Sequence, residues 1–144
     1  MVKSIFVLNG PNLNLLGTRE PEIYGHDTLD EIAATLADRA TTLGITLDIR
    51  QSNHEGHLID WLHEAQATAA HAVIINPGGY SHTSVALHDA VRAIAIPVIL
   101  VHLTDPETRE SFRHTDLVAL AARLVITGQG ARGYLSALDA AARL

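Results

Sequence analysis

The stretch AVIINPGGYSHTS, residues 72–84, decides the fold. Its first residues are apolar and rich in β-branched side chains up to Asn76, which is typical of a strand that is buried on both faces. Gly78 and Gly79 then allow the backbone to turn tightly, and a serine or threonine just beyond them can cap a helix. A buried strand that passes through such a turn into a helix predicts a parallel α/β sheet.

The rest of the chain repeats this unit. Further strands are predicted at residues 4–9, 45–50, 97–102 and 123–127. Helices are predicted at residues 28–43, 55–70, 84–95 and 134–144, with Gly44 as a C-cap. Strands that alternate with helices imply right-handed crossovers, and therefore a flavodoxin-like, doubly wound sheet of five parallel strands with helices on both faces.

Length and composition limit the classes of function. The 144 residues fit one domain that covers residues 1–144, and 47% hydrophobic against 18% charged residues indicates a folded chain. A net charge of −6 argues against general nucleic-acid binding, and the lack of cysteine excludes disulfides and thiolate chemistry. The apolar run at residues 5–8 is too short for a signal peptide. We expect a cytoplasmic protein without a membrane partner.

Polar loops follow the carboxyl ends of the first four predicted strands. They are NGPNLN at 9–14, QSNHEG at 51–56, NPGGYSHTS at 76–84 and HLTD at 102–105. In open α/β sheets, ligands bind at this edge. We therefore expect the functional site there.

The loop at residues 10–26 is long, since βα connections usually have about 2–6 residues. Gly17 and Gly25 bracket Arg19 and Tyr24. This composition fits a mobile lid and an ordinary surface loop about equally well. An isolated tyrosine titrates at about pH 10, so a tyrosine that acts as a base at neutral pH needs a nearby cation. Arg19 can supply that charge.

Other polar residues at this edge are candidates for catalysis or binding. His102 ends an apolar strand, where a histidine can act as a general acid or base, or simply be hydrogen-bonded. His82 and Asn76 are candidate ligands of a hydroxylated substrate. Arg109 and Arg113, four residues apart on an expected helical turn, can bind a carboxylate or be solvated.

Three patterns suggest other chemistry and are set aside. Ser84, His82 and Asp89 lack the G-x-S-x-G elbow of a serine hydrolase. GQGARG, residues 128–133, matches a dinucleotide fingerprint, but too little chain follows it for a second strand. HEGH, residues 54–57, lacks the metal-binding (i, i+4) histidine pair and begins a helix for which Asn53 is the expected cap.

Four segments carry a resemblance to known proteins. They are LNGPNLNLLGTREPEIYGHDTL at 8–29, QSNHEGHLIDWLHEA at 51–65, INPGGYSHTSVALHDAV at 75–91 and the weaker VHLTDPETRESFRH at 101–114. Together they closely resemble the type II 3-dehydroquinate dehydratase family over essentially the whole chain. The resemblance implies the reversible dehydration of 3-dehydroquinate to 3-dehydroshikimate through an enolate, without a metal or other cofactor. This step is shared by the shikimate and quinate pathways, so the sequence does not separate a biosynthetic from a catabolic role.

The resemblance also implies catalytic roles for four residues. Tyr24 is the base, and Arg19 favours its phenolate form. Asn12 holds a water against the enolate oxygen. His102 protonates the hydroxyl that leaves.

The resemblance further implies how the substrate binds and how the chain assembles. The implied substrate-contacting groups are the side chains of Asn76, His82 and Arg113 and the backbone amides of Leu103 and Thr104. Asp89 corresponds to a residue that reaches a neighbouring subunit's site in trimers, which assemble into a dodecamer.

The fourth segment departs from the family pattern. Leu100 replaces a glutamate that orients the catalytic histidine, and leucine cannot accept a hydrogen bond. Asp105 either places a carboxylate near the substrate's carboxylate or takes over the orienting role. We expect Leu100→Glu to raise kcat. The alternative function is a diverged paralogue with weak or no dehydratase activity that binds or acts on a related cyclic polyol acid.

Overall fold

Five parallel strands form one sheet in the computed structural model, which describes residues 2–144. The strands are β1 (Lys3–Asn9), β2 (Ile45–Gln51), β3 (Ala72–Asn76), β4 (Val98–Val101) and β5 (Leu124–Ile126). Their order is β2-β1-β3-β4-β5 and every pairing is parallel. This is the flavodoxin-like order, so the predicted fold class is confirmed.

Six α-helices surround the sheet. They are α1 (Pro21–Tyr24), α2 (Leu29–Leu43), α3 (Glu55–Ala67), α4 (Tyr80–Thr83), α5 (Val85–Ala93) and α6 (Arg132–Ala142). Short 3-10 turns lie at Leu13–Leu15, Pro106–Thr108 and Ser111–Arg113. None of the helices within residues 2–144 is long and apolar enough to cross a membrane.

The helix ends follow from local chemistry. Thr28 and Glu31 form a reciprocal capping box at the start of α2, and Gly44 ends that helix in the left-handed region at φ 69°. The Ser84 hydroxyl accepts the N–H of Leu87 and so caps α5. The prediction of Gly44 as a C-cap is confirmed.

Two local predictions are wrong. The helix expected at 55–70 ends at Ala67, and Asn53 does not cap it. The Ser52 hydroxyl instead accepts the N–H of His54 at 3.0 Å, while the Asn53 side chain accepts the N–H of Asn12 at 3.0 Å. Asn53 therefore links two loops of the site edge rather than starting α3.

The second wrong prediction concerns Arg109 and Arg113. Arg113 is the last residue of the turn Ser111–Arg113, whereas Arg109 follows the separate turn Pro106–Thr108. The two guanidinium groups do not share one helical face, because Pro106 and side-chain capping break the segment into short turns.

Two apolar layers cover the faces of the sheet, because alternate strand residues point to opposite sides. Ile5, Val7, Ile74, Ile99 and Val101 pack on the side of α2 and α6. Phe6, Leu8, Val73, Ile75 and Leu100 pack on the side of α3 and α5. His102 follows β4 two residues after Leu100, so the same alternation carries its side chain toward the α3 and α5 side.

Candidate active site

A pocket at the carboxyl ends of β1, β3 and β4 collects most of the predicted site residues. Nine of the ten line it: Asn12, Arg19, Tyr24, Asn76, His82, His102, Leu103, Thr104 and Arg113. The tenth, Asp89, is exposed on α5 and does not line it. The pocket therefore lies where the open parallel sheet predicts.

Two guanidinium groups contact Tyr24, the last residue of α1. The Arg19 guanidinium carbon lies 4.4 Å from the centroid of the phenol ring. Arg109 Nη2 donates to the Tyr24 hydroxyl oxygen at 3.1 Å, and Arg109 Nη1 donates to Thr104 Oγ1 at 3.2 Å. The cation on the phenol oxygen is thus Arg109, while Arg19 stacks on the ring.

The contact between Arg109 and Tyr24 differs from the prediction, in which Arg109 binds a substrate carboxylate or is solvated. The two residues lie 85 positions apart in the chain. The only signal in the sequence was a second arginine in a segment that follows a strand end.

His102 is bound to a carboxylate that the sequence analysis did not single out. His102 Nε2 lies 2.7 Å from Asp116 Oδ2, and the two side chains are 8% and 16% exposed. Burial opposes ionisation of Asp116, but hydrogen bonds from His102 and Ser81 outweigh it and hold the pKa of this carboxyl below its ordinary value. An ionised carboxylate only accepts, so His102 carries a proton on Nε2.

Asp105 does not take over the orienting role, and that prediction is wrong. Its carboxylate accepts the N–H of Glu107 at 3.0 Å and caps the turn Pro106–Thr108. Leu100, at the position of the family's orienting glutamate, is fully buried among apolar side chains. The carboxylate comes instead from the segment that follows Ser111–Arg113.

His82 lies beside His102 and is held by the same segment. The two rings stack with centroids 5.7 Å apart at 15°. His82 Nδ1 lies 2.8 Å from the carbonyl oxygen of Thr115, so Nδ1 donates and Nε2 of the neutral ring is left as an acceptor. That nitrogen can accept a hydroxyl proton from a ligand.

Asn76 is fixed by a tyrosine on α6 that the sequence analysis did not assign to the site. Asn76 Nδ2 donates to the Tyr134 hydroxyl at 3.0 Å, and that hydroxyl donates to Asn9 Oδ1 at 2.6 Å. Complete burial raises the pKa of Tyr134 above its ordinary value, so the hydroxyl remains a donor. Asn76 Oδ1 accepts the N–H of Gly78 at 3.2 Å, which leaves one amide hydrogen for a ligand.

The remaining groups form the cationic and hydrogen-bond donating wall of the pocket. Arg113 Nε donates to Glu110 Oε1 at 2.9 Å and lines the pocket beside Arg109. Within residues 2–144, the N–H groups of Leu103 and Thr104 make no hydrogen bond to the protein. Free amides beside guanidinium groups suit an anionic ligand.

The structure also shows the surroundings of Ser84 and of the HEGH segment at 54–57. Ser84 Oγ accepts the N–H of Leu87 as a helix cap, which is a structural use of that hydroxyl. HEGH places the rings of His54 and His57 4.8 Å apart, with His57 stacked on Trp61. Over the part of the chain that the structure describes, no three His, Asp or Glu side chains are grouped to hold a metal ion.

Comparison with known proteins agrees with the geometry. The family model described as "Dehydroquinase class II" matches residues 3–142. The chain is 56% identical to the 3-dehydroquinate dehydratase of Caulobacter vibrioides, over 98% of this chain and 96% of the relative. It is also 56% identical to that of Phenylobacterium zucineum, over 100% and 99% of the two chains.

Solved structures give the same result. The type II dehydroquinase of Propionibacterium acnes superposes with a TM-score of 0.95 at 40% identity, over 100% of this chain and 99% of that chain. A 3-dehydroquinate dehydratase-like protein from Bifidobacterium longum is more distant, with a TM-score of 0.73 at 29% identity over 99% and 97%.

Proposed function

Because the chain belongs to the class II dehydroquinase family and shares its dehydratase activity, we propose that it dehydrates 3-dehydroquinate with Tyr24 as the base and His102 as the acid. The observation that carries this assignment is the contact between the Arg109 guanidinium and the Tyr24 hydroxyl oxygen, at 3.1 Å. A cation on that oxygen favours the phenolate, which is the form that can take a proton.

The first step removes a proton from the carbon next to the ketone of the substrate. The Tyr24 phenolate oxygen takes this proton, and the electron pair of the C–H bond moves into the ketone, which becomes an enolate. Arg19 over the ring and Arg109 on the oxygen are placed to stabilise negative charge on the phenol in this proposal. Asn12, in the left-handed region at φ 69°, holds a water against the enolate oxygen in this proposal.

The second step expels the hydroxyl group. The enolate electrons form the carbon–carbon double bond, the C–O bond breaks, and His102 gives its proton to the hydroxyl, which leaves as water. His102 finishes the step neutral and Tyr24 finishes it protonated. Both groups return to their starting state by exchanging protons with solvent.

The substrate is an anion with several hydroxyl groups, and the pocket offers partners for both. The Leu103 and Thr104 amides and Arg113 bind the carboxylate in this proposal. His82 Nε2 and the free hydrogen of Asn76 Nδ2 bind hydroxyl groups. These contacts orient the ring so that the hydroxyl that leaves faces His102.

Replacement of the base tests the mechanism. Purified protein given 3-dehydroquinate should show rising enone absorbance in the ultraviolet, and borohydride should trap no covalent adduct. Tyr24→Phe should lower kcat by on the order of 10²–10⁴-fold, which is the usual contribution of a catalytic base. A Tyr24→Phe protein that turns over at the wild-type rate would exclude Tyr24 as the base.

Tyr80→Phe is the matched control. The Tyr80 hydroxyl donates to the Asn53 carbonyl at 2.8 Å, and Tyr80 does not line the pocket. The same chemical change there should leave kcat within a few-fold of wild type. An equal loss in both variants would indicate a general effect of removing a tyrosine hydroxyl.

The diverged-paralogue alternative has lost its main support. It rested on the differences from Leu100 to Asp105, which include the missing carboxylate beside His102. Asp116 supplies a carboxylate to His102, and Asp105 caps a turn and is not among the residues that line the pocket. These contacts support turnover in our proposal.

A further inference from the structure

We propose that Asp116 is the positioning residue for His102, in place of a carboxylate from position 100 of the same strand. The inference rests on the proposed function, in which His102 is the acid. It assigns Asp116 no contact with the substrate. Its task is to fix which ring nitrogen of His102 faces the reaction.

The contacts around Asp116 form a short buried chain. Asp116 Oδ2 lies 2.7 Å from His102 Nε2, and Asp116 Oδ1 accepts from Ser81 Oγ at 2.5 Å and from the Ala119 N–H at 3.1 Å. Ser81 is completely buried. Both carboxylate oxygens are therefore engaged, and the carboxylate cannot rotate without losing a bond.

The backbone on both sides of Asp116 is also anchored. His82 Nδ1 donates to the Thr115 carbonyl at 2.8 Å, and the Leu117 N–H donates to the Ser81 carbonyl at 2.8 Å. His88 Nδ1 donates to the Leu117 carbonyl at 2.5 Å. These contacts tie the segment to α4 and α5, so the distance between Asp116 and His102 is set by the fold.

The arrangement determines how His102 moves a proton. The carboxylate can only accept a hydrogen bond. The ring therefore keeps its proton on Nε2, hydrogen-bonded to Asp116, in both charge states, and Nδ1 is the nitrogen that gives up a proton. Within residues 2–144, Nδ1 has no hydrogen-bond partner in the protein. Every fully buried side-chain nitrogen or oxygen in this range does have a partner, so Nδ1 is accessible from the pocket. Two titratable side chains contact the His102 ring: Asp116 bonds to it and His82 stacks on it.

Position 100 offers a direct test by moving the carboxylate. Leu100 is the third residue of β4 and His102 follows the strand two positions later, so their side chains point to the same side of the sheet. A glutamate at 100 can therefore approach the same imidazole. In the single variant, which keeps Asp116, the new glutamate would also lie near the Asp116 carboxylate. Two buried carboxylates close together reduce the stability of the fold.

The experiment compares three variants by kcat and KM. Asp116→Ser should lower kcat by on the order of 10- to 100-fold, because His102 loses its fixed orientation for general-acid catalysis, and change KM by less than about threefold. Leu100→Glu alone should lower kcat, which reverses the expectation from sequence alone. The double variant Leu100→Glu/Asp116→Ser should have a kcat at least about tenfold higher than that of Asp116→Ser alone.

Asp139→Asn is the matched control. Asp139 pairs with Arg39 at 2.8 Å on the far side of the molecule, so removal of its charge should leave kcat unchanged. Asp116→Asn preserves the shape of the side chain and provides a folded protein if the serine variant unfolds. The same loss of kcat is expected for it.

The histidine tautomer gives a readout that a purely structural role would not move. Nitrogen-15 spectra of histidine-labelled protein should show His102 protonated at Nε2 in the wild type, with the signal assigned by its absence in His102→Gln. In Asp116→Ser the ring should become a mixture of both tautomers.

The outcomes separate this inference from the proposed mechanism. If Asp116→Ser and Asp116→Asn both keep wild-type kcat while Tyr24→Phe is inactive, the positioning role is wrong and the mechanism stands. If the double variant recovers nothing and the tautomer does not change, Asp116 acts only in folding. If Tyr24→Phe remains active, the mechanism itself fails, whatever Asp116 does.

Discussion

The two arginines that follow β4 do different work although four positions separate them. Arg109 bridges the Tyr24 hydroxyl and Thr104, and its side chain is only 14% exposed. Both arginines pair with Glu110, Arg113 Nε at 2.9 Å and Arg109 Nε at 3.4 Å, and Arg113 lines the pocket. Arg109 therefore contacts the base, whereas the remaining nitrogens of Arg113 can meet the substrate.

This difference predicts that the two substitutions change different kinetic parameters. Arg109→Met should lower kcat by on the order of 10- to 100-fold, since it removes the hydrogen bond that favours the phenolate, and should change KM little. Arg113→Met should raise KM by about 10- to 100-fold, because a hydrogen bond between charged groups contributes roughly 1.5–3 kcal/mol to binding. Steady-state kinetics on both variants checks the split.

The same substitution at both positions makes each variant the control for the other. Equal changes in KM for both would mean that Arg109 is a second substrate ligand. Unchanged kcat in Arg109→Met would leave Arg19 as the cation that favours the phenolate.

Residues such as Tyr24 and His102 could be predicted because local signals mark them. A long loop with bracketing glycines marked Tyr24, and the end of an apolar strand marked His102. Asp116 and Arg109 carry no such signal, since their partners lie 14 and 85 positions away. Such contacts depend on how loops pack, and no spacing rule describes that.

At the scale of elements, the loop segment that carries Tyr24 is bracketed by two glycines, Gly17 and Gly25, which are required for different physical reasons. At Gly17, φ is 92° and an added Cβ would lie 2.8 Å from the Thr28 methyl group. At Gly25, φ is 86° with ψ −179°, and an added Cβ would meet nothing within 4 Å. Gly17 is required by packing and conformation, whereas Gly25 is required by conformation alone.

Gly25→Ala should therefore test how the backbone at this position supports Tyr24, without creating a clash. The backbone conformation at Gly25 is almost restricted to glycine, so alanine costs about 1–3 kcal/mol there or forces the turn to change. Because Tyr24 is the preceding residue, we expect kcat to fall by on the order of tenfold. Thermal unfolding and kinetics on the same sample measure both effects.

Gly44→Ala is the matched control in another element. Gly44 also has positive φ and open space around it, but it ends α2 away from the pocket. It should lose about 1 kcal/mol of stability, as expected for alanine in the left-handed region, and keep its kcat. A similar loss of kcat in both variants would mean that reduced stability, rather than the backbone conformation beside Tyr24, lowers the rate.

The elements themselves were predictable to different degrees. The central strands could be predicted because burial on both faces demands continuous apolar runs such as AVII at 72–75 and VILV at 98–101. The segment between β4 and β5 could not, because proline and side-chain caps divide it into 3-10 turns that have no periodic pattern. That segment also holds Asp116, which is why the site was harder to predict than the sheet.

At the scale of the whole molecule, the pocket is lined by positive side chains although the net charge of the chain is negative. The chain carries −6, yet three guanidinium groups, those of Arg19, Arg109 and Arg113, line one pocket. A cleft lined by one sign of charge concentrates its field and attracts the opposite ion. The acidic surface therefore does not prevent an anionic substrate from reaching the site.

Asp89 is the one predicted site residue that the fold of a single chain leaves outside the pocket. It is exposed on α5, and Val85, one turn earlier on the same helix, is 61% exposed. An exposed valine beside an implied substrate ligand fits contact with a second copy of the chain. We propose the trimers and dodecamer that the family resemblance implies, with Asp89 completing a neighbour's site.

Subunit mixing tests this assembly more sharply than mass alone. Sedimentation should first give a particle many times the 15.5 kDa of one chain. Asp89→Ala should keep that mass but raise KM, and Tyr24→Phe should keep it while losing turnover. When the two inactive or weakened proteins are dissociated and reassembled together, some sites combine an intact Tyr24 with an Asp89 from the neighbouring chain. Activity in the mixture should then exceed the average of the two parents, whereas activity equal to that average, or a fully active monomer, would show that each chain works alone.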